Sequence, residues 1–269
     1  MQYPEMARLA LAAGPAFLAG AAALAADKPA VDAAAVDKAF EALKTYEWGT
    51  DRNTLAAIDE AVMVSYGDAA ARKDLETRLV AVLGSGAPRA AKDFACRALK
   101  TIGTAASVPA LAALLPDKDL SHMARYALER IAAPEAAAAM RDALPKLSGA
   151  LKVGAIGSLG VRRDVASVAP LTGLLGDSDK TIVCAAASSL GLIGTPDAAK
   201  ALADFAKKAP EGAKLAAADA CLACAERLLA DGKKAEAVAL FKSLNGEDQP
   251  KHVRMAATRG LLLAAGKKN

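Results

Sequence analysis

The feature that most constrains the fold of this chain is an internal repeat. Residues 107–119 and 167–179 both read S-V-x-x-L-x-x-L-L-x-D-x-D, and the two segments begin 60 residues apart. A second match joins P-E-A-A at 134–137 to P-D-A-A at 196–199, at an offset of 62 residues. Two units of about 30 residues fit within each offset, and a period of this size is typical of solenoids and other repeat arrays.

Composition and periodicity predict that each unit contains two helices. Hydrophobic residues make up 54% of the chain but aromatic residues only 4%, so alanine, a strong helix former, dominates where a sheet would need β-branched and aromatic residues. Val108, Leu111, Leu114 and Leu115 recur at helical spacing and predict the core-facing side of a first helix. An Asp-rich turn suited to helix capping follows, and a second helix is predicted near residues 120–132. Such a pair cannot bury its apolar side alone, so the pairs must stack.

Glycine is expected where second helices end, because the position after a helix favours a residue without a side chain. The predicted end positions are Gly103, Gly160, Gly194 and Gly266.

The segment LTGLLGDSDKTIVCAAASSLGLIG at 171–194 resembles the HEAT-like repeat pattern L-x-x-L-L-x-D-x-D-x-x-V-R-x-x-A-A-x-A-L-G-x-I-G. It departs from that pattern at Ile182, Val183 and Ser189. The resemblance covers about residues 68–266 and is weaker at the N-terminal end and around 205–245. As a whole, the chain is similar to exported HEAT-repeat proteins of planctomycete-like bacteria. This resemblance implies an all-α fold, an α-solenoid superhelix of about six antiparallel helix pairs.

The N-terminal residues are typical of a secretory signal peptide. Residues 9–25 form an apolar run behind Arg8 and end in A-L-A, which predicts cleavage before Ala26. The run is shorter than the roughly 20 apolar residues of a membrane-spanning helix and contains Pro15. We therefore expect a periplasmic or secreted protein with no membrane span after cleavage; an uncleaved N-terminal anchor is the alternative.

The expected domain organisation follows from these observations. It consists of a signal peptide at 1–25, an N-terminal helix or capping segment at 26–50, a HEAT-like repeat domain at 51–266 and a C-terminal tail at 267–269. Trp48, the only tryptophan, lies before the clear repeats. It either caps the open end of the core, since terminal units of solenoids are atypical, or serves as an exposed anchor for a partner.

Charge and motif content argue against several classes of function. The 34 Lys and Arg residues nearly balance the 30 Asp and Glu residues, and the basic doublets are isolated, so no nucleic-acid partner is predicted. His122 and His252 lie in different repeats, and no Gly-rich phosphate loop, HExxH or GxSxG is present. We therefore predict no catalytic residue, no metal site and no cofactor.

The four cysteines lie in alanine-rich helical stretches and are predicted to be small buried apolar side chains. Cys221 and Cys224 have the spacing of a redox pair. Their position in mid-helix, with no strand nearby, makes redox chemistry a weak hypothesis.

In HEAT-type folds the second helices usually line the concave surface, so the resemblance implies that a partner binds their polar side. Arginine and tyrosine on such a surface are favoured at binding hot spots. The alternative is that these charges form ordinary intrahelical pairs, Asp93 with Arg97 and Arg125 with Glu129. The candidate partner-binding ridge comprises Asp93, Arg97, His122, Arg125, Tyr126, Glu129, Arg162 and Arg163.

The function predicted from the sequence is therefore a non-catalytic scaffold that binds a protein partner, whose identity the sequence does not reveal. Two alternatives stay open. HEAT-like repeats also occur in bilin lyases and in a group of DNA glycosylases, so the chain could be an enzyme or an enzyme accessory. It could also be a structural assembly module of a cell-envelope complex.

Overall fold

A computed structural model describes residues 32–266, which form α-helices joined by short turns and contain no strand. The predicted signal peptide at 1–25 and tail at 267–269 lie outside these residues. The helices are α1 (Ala33–Leu43), α2 (Ala56–Val64), α3 (Ala69–Gly84), α4 (Arg89–Ile102), α5 (Val108–Ala113), α6 (Ser121–Leu128), α7 (Pro134–Ala143), α8 (Gly149–Arg162), α9 (Val168–Leu174), α10 (Lys180–Ile193), α11 (Pro196–Ala206), α12 (Lys214–Ala230), α13 (Lys234–Ser243) and α14 (Lys251–Ala264).

The helices stack as pairs in two layers. Each even-numbered helix packs against the odd-numbered helix before it and against the even-numbered helices on either side. We call these helices the even layer, and the others the odd layer. The described residues therefore confirm an all-α solenoid, with seven helix pairs rather than about six, because α1 and α2 form a pair that packs on α3 and α4.

Helix starts are set by capping side chains at the turns where the sequence supplies Asp or Thr. The carboxylate of Asp179 accepts a hydrogen bond of 2.8 Å from the backbone N–H of Thr181 at the start of α10. Asp68 caps α3 in the same way, and Thr195 caps α11 through its hydroxyl. Each bond satisfies a backbone donor that the first turn of a helix leaves unpaired.

The serines of the repeated S-V-x-x-L motif are fully buried, and each donates to a carboxylate. Ser107 donates to Glu76 on α3, which also accepts from the backbone N–H of Thr104 at 2.7 Å. Ser167 donates to Asp164 at 2.5 Å, and Asp164 also pairs with Arg141 on α7. The repeated serine thus joins the turn before a first helix to a carboxylate, buried in Glu76 and half-buried in Asp164, and the hydrogen bond satisfies a hydroxyl that burial would otherwise penalise.

Most of the predicted core is confirmed. Leu111 and Leu171 are fully buried. Leu114 packs against the core but is only half-buried, because α5 ends at Ala113 and the turn that follows buries Leu115 fully.

The glycine positions are confirmed at three helix ends and wrong at one. Helices end next to Gly103 and Gly194, and Gly266 follows α14 with a φ of 74°. Gly160, by contrast, lies inside α8, which continues to Arg162 and is followed by Arg163 in the left-handed region. Gly160 serves packing instead, because a Cβ built on it would lie 2.9 Å from Cα of Ser189 on α10.

The cysteines are free thiols. Cys96, Cys221 and Cys224 are buried, as predicted, and burial raises the pKa of each to about 12. Cys184 is only half-buried. Within residues 32–266, no helix combines the length and the hydropathy needed to cross a membrane.

Candidate functional site

A cleft opens between α2 and α4 at the N-terminal end of the even layer. Its volume is about 350 Å³, and the segment that joins α1 to α2 closes one side. The lining residues are Tyr46, Trp48, Arg52, Asp59, Val62, Met63, Ala90, Phe94, Arg97, Ala98 and Thr101.

The cleft combines buried aromatic rings with exposed apolar side chains. Tyr46 and Phe94 are buried and belong to the core. Trp48 is 55% exposed and Met63 is 73% exposed, although both are large apolar side chains. The exposure of Trp48 agrees better with a partner anchor than with a cap over the core. Exposed tryptophan and methionine beside a cleft are characteristic of surfaces that bind other molecules.

Arginines surround the aromatic rings, and most of them already have acidic partners. Arg52 donates to Asp59 at 2.7 Å and lies 4.6 Å from the ring centroid of Phe94. Arg89 lies 5.3 Å from the ring centroid of Trp48 and pairs with Asp119.

Arg97 differs from these arginines because it is exposed and forms no ion pair with any described residue. It is therefore the side chain in the cleft that is free to bind a carboxylate, and arginine can do so with two parallel hydrogen bonds.

Basic and aromatic groups continue from the cleft onto α6. The ammonium group of Lys100 on α4 donates to the hydroxyl of Tyr126 at 2.8 Å and lies 4.4 Å from that ring's centroid. This hydrogen bond to Lys100 is the main reason why the pKa of Tyr126 is lowered. His122 is exposed on the same helix. The predicted ridge residues Arg97, His122 and Tyr126 therefore all reach solvent on neighbouring helices.

Asp93 lies beneath this surface. Only 6% of Asp93 is exposed, and its Oδ1 has no hydrogen-bond partner among the described residues. Burial raises the pKa of its carboxyl group, and the charges of Arg89, Arg97 and His122 oppose that rise. No carboxylate oxygen of Asp93 lies within 4.0 Å of a guanidinium nitrogen of Arg97, so the predicted ion pair is absent and the two charges interact only over a longer distance.

The remaining ridge residues join neighbouring helices of the even layer. Arg125 donates to the backbone carbonyl of Gly154 at 3.0 Å and to Ser158 at 3.2 Å, and Ser158 donates to Glu129 at 2.7 Å. Burial lowers the pKa of Arg125. Arg125 and Glu129 thus meet through a serine of α8 rather than as the direct pair that the sequence suggested.

Arg162 also acts between helices. Its guanidinium group donates to the backbone carbonyls of Leu128 and Ile131, both at 2.6 Å, at the end of α6. Arg163 forms an ion pair of 3.6 Å with Asp231 at the end of α12. The structure therefore divides the predicted ridge into an exposed part on α4 and α6 and a part that occupies helix contacts.

The sequence did not predict the cleft, although it singled out Trp48. Arg52, Met63 and Phe94 lie in or next to the segment where the repeat pattern is weakest, and nothing in their spacing shows that they meet. No group of three or more His, Cys, Asp or Glu side chains in the described part of the chain could hold a metal ion.

Comparison with known proteins bears on the class of this fold. Residues 146–223 match the family model described as HEAT repeats, which corresponds to the chain from just before α8 into α12. Together with the stacked helix pairs, this match supports a HEAT-repeat protein. The comparison with curated proteins gives no match.

Among solved structures, a similar chain is an engineered protein determined by the Northeast Structural Genomics Consortium. It is 22% identical, the alignment covers 86% of this chain and 96% of that chain, and the TM-score is 0.30. A similarity at this level says nothing about function.

Proposed function

We propose that this protein is an exported, non-catalytic HEAT-repeat scaffold that binds a protein partner at the cleft between α2 and α4. The single observation that carries the proposal is the exposure of Trp48 and Met63 beside the unpaired Arg97. A solenoid gains nothing in stability from leaving such large apolar side chains in water. A partner that covers them would bury apolar area around a charged contact, which is the usual composition of a hot spot.

The exposed residues His122 and Tyr126 extend this surface onto α6 and make it longer than one helix pair. A partner would therefore contact at least two neighbouring repeats, as is common for proteins that bind along a solenoid. Export to the periplasm or cell envelope is part of the same proposal, supported by the apolar run at 9–25.

Site-specific photocrosslinking in the source cell tests this proposal. A crosslinking amino acid at Met63 should capture a discrete protein, and the capture should be lost on Trp48→Ala or Arg97→Glu. The matched control places the same crosslinker at Lys200, an exposed residue on α11 in the odd layer. Equal capture at both positions, or capture that survives both substitutions, contradicts a specific cleft.

A pigment or other cofactor that copurifies with the protein would contradict the non-catalytic part of the proposal. Arg97→Glu places a second negative charge near buried Asp93, so Arg97→Gln is the matched variant whose folding should change little, because Arg97 is exposed and forms no ion pair with any described residue. Thermal unfolding followed by circular dichroism should therefore separate loss of binding from loss of fold.

A further inference from the structure

Helix α14, the last in the described residues, exposes a side on which an interior helix such as α10 carries a neighbour. Helices α10 and α14 are both 14 residues long. Eight residues of α10 are buried because helices of the even layer pack on both of its sides, whereas α14 buries only Val253, Ala257, Gly260 and Ala264. Those four positions are spaced as one helical stripe and pack on α12 and α13.

A second stripe on α14, two apolar side chains with a threonine between them, remains in solvent. Met255, Thr258 and Leu262 follow one another at helical spacing, with Met255 63% exposed and Leu262 37% exposed. They line an open groove of about 730 Å³.

The charges in this groove have one sign. Its lining includes Lys251, Arg254 and Arg259 but no carboxylate. None of the three forms an ion pair with a described residue, and Nε of Arg254 is buried without a hydrogen-bond partner. An occupant of this groove must therefore bring acidic groups beside an apolar stripe.

The opposite end of the described residues offers an acidic group beside apolar side chains, because Glu60 on α2 is exposed and forms no ion pair with a described residue. On α2, Ala56, Glu60 and Met63 are exposed at helical spacing. Residues 32–64 contain seven acidic and three basic side chains, a net charge of −4. Residues 233–266 contain six basic and three acidic side chains, a net charge of +3.

We propose that copies of this chain associate head to tail, with α2 of one copy on the exposed stripe of α14 of the next. The contact places an even-layer helix where the next even-layer helix of the solenoid would lie, so the stacking order continues from one molecule to another. Because the two surfaces differ, the interface is heterologous and generates open chains or rings rather than a twofold dimer. The proposal goes beyond the partner-binding cleft, but the two surfaces share Met63, so a crosslinker at Met63 would capture a second copy as well as a partner, and only capture of a different protein supports the cleft.

Analytical ultracentrifugation tests the association directly. At low salt the sedimentation coefficient of the wild type should rise with protein concentration from the micromolar to the millimolar range. High salt should lower it, since exposed charges are screened over about 10 Å at 0.1 M salt. A wild type that stays monomeric over this range at low salt overturns the proposal.

Complementing variants test the polarity of the contact. The head variant Ala56→Arg/Glu60→Arg and the tail variant Arg259→Glu/Leu262→Glu should each be monomeric alone. An equimolar mixture should form a discrete dimer, because each variant retains the end that the other lacks. Self-association of either variant, or a mixture that stays monomeric, overturns head-to-tail contact.

Two further measurements separate the interface from folding and from general charge effects. Lys200→Glu on α11 and Glu226→Arg on α12 reverse exposed charges away from both ends and should leave association unchanged. If a double variant fails to fold, a photocrosslinker at Thr258 in the otherwise unaltered protein should react with residues of α2 in another copy. Crosslinks to any other region overturn the proposal.

Discussion

At the scale of single residues, the three glycines in the interior of α8 differ in how closely their neighbours pack against them. A Cβ on Gly154 would lie 2.5 Å from the guanidinium carbon of Arg125, and one on Gly160 would meet the backbone of Ser189. A Cβ on Gly157 would meet nothing within 4 Å. Of these three positions, only that of Gly157 has room for a side chain.

We predict that Gly157→Ala raises the free energy of unfolding by about 0.5–1 kcal/mol, the usual gain from replacing glycine in a helix interior. Gly160→Ala should lower it, because the backbone of Ser189 cannot move aside as a flexible side chain can. Urea unfolding of the two variants gives the comparison. A loss of stability in Gly157→Ala would contradict the open space beside that residue.

Asp93 gives a pH-dependent prediction. Burial raises the pKa of the Asp93 carboxyl in the folded protein, so the folded protein binds a proton there more tightly than the unfolded chain does. Ionised Asp93 therefore lowers the free energy of unfolding as the pH rises above the ordinary carboxyl range. Asp93→Asn should therefore raise the melting temperature at pH 7. The gain should shrink as the pH falls through the raised pKa of the folded carboxyl, because the wild-type group then becomes neutral as well. A gain that does not depend on pH would show that the charge of Asp93 is not responsible.

At the scale of helices, Arg162 is the clearest link between neighbours of the even layer. It caps the end of α6 from α8 by donating to backbone carbonyls that the helix itself leaves unpaired. We predict that Arg162→Gln lowers the free energy of unfolding by about 2 kcal/mol, within the range for hydrogen bonds that involve a charged group. Arg130→Gln, on an exposed side chain of the same region, is the control and should change stability little. Equal effects of the two substitutions would contradict the capping role.

The presence and approximate position of the helices could be predicted from the sequence, but the residues at which several of them end could not. The spacing of Val108 and Leu111 is enough to place a helix with a buried side, because the apolar pattern is local. Where α5 ends depends on how the following turn packs, and this decides that Leu115 rather than Leu114 is buried.

Gly160 illustrates the same limit between helices. Its sequence context is typical of a helix end, yet the residue is needed inside α8 because Ser189 lies against it. The exposed part of the candidate ridge was predictable from helical spacing. The cleft was not, since it needs a non-repeating segment to fold over α4.

At the scale of the whole molecule, the four thiols differ in burial, and their reactivity should differ accordingly. We predict that in the native protein a thiol reagent modifies Cys184 first, because it is half-buried and the other three are buried with a pKa of about 12. The thiolate is the reactive form, so burial protects twice, by access and by protonation. Mass spectrometry after a short labelling pulse checks the order, and all four should react once the chain is unfolded. Early labelling of Cys221 or Cys224 would contradict their burial.

The side-chain hydrogen bonds that join different helices in the described residues connect positions close in sequence. Even the bond from Arg162 to the carbonyl of Leu128 spans only 34 residues. Apart from the ion pair of Arg163 with Asp231, which joins the ends of α8 and α12, each helix pair can therefore form its side-chain contacts as soon as the next pair has been synthesised. We therefore expect folding to proceed from the N-terminus during translation. Its rate should be typical of topologies with mostly local contacts.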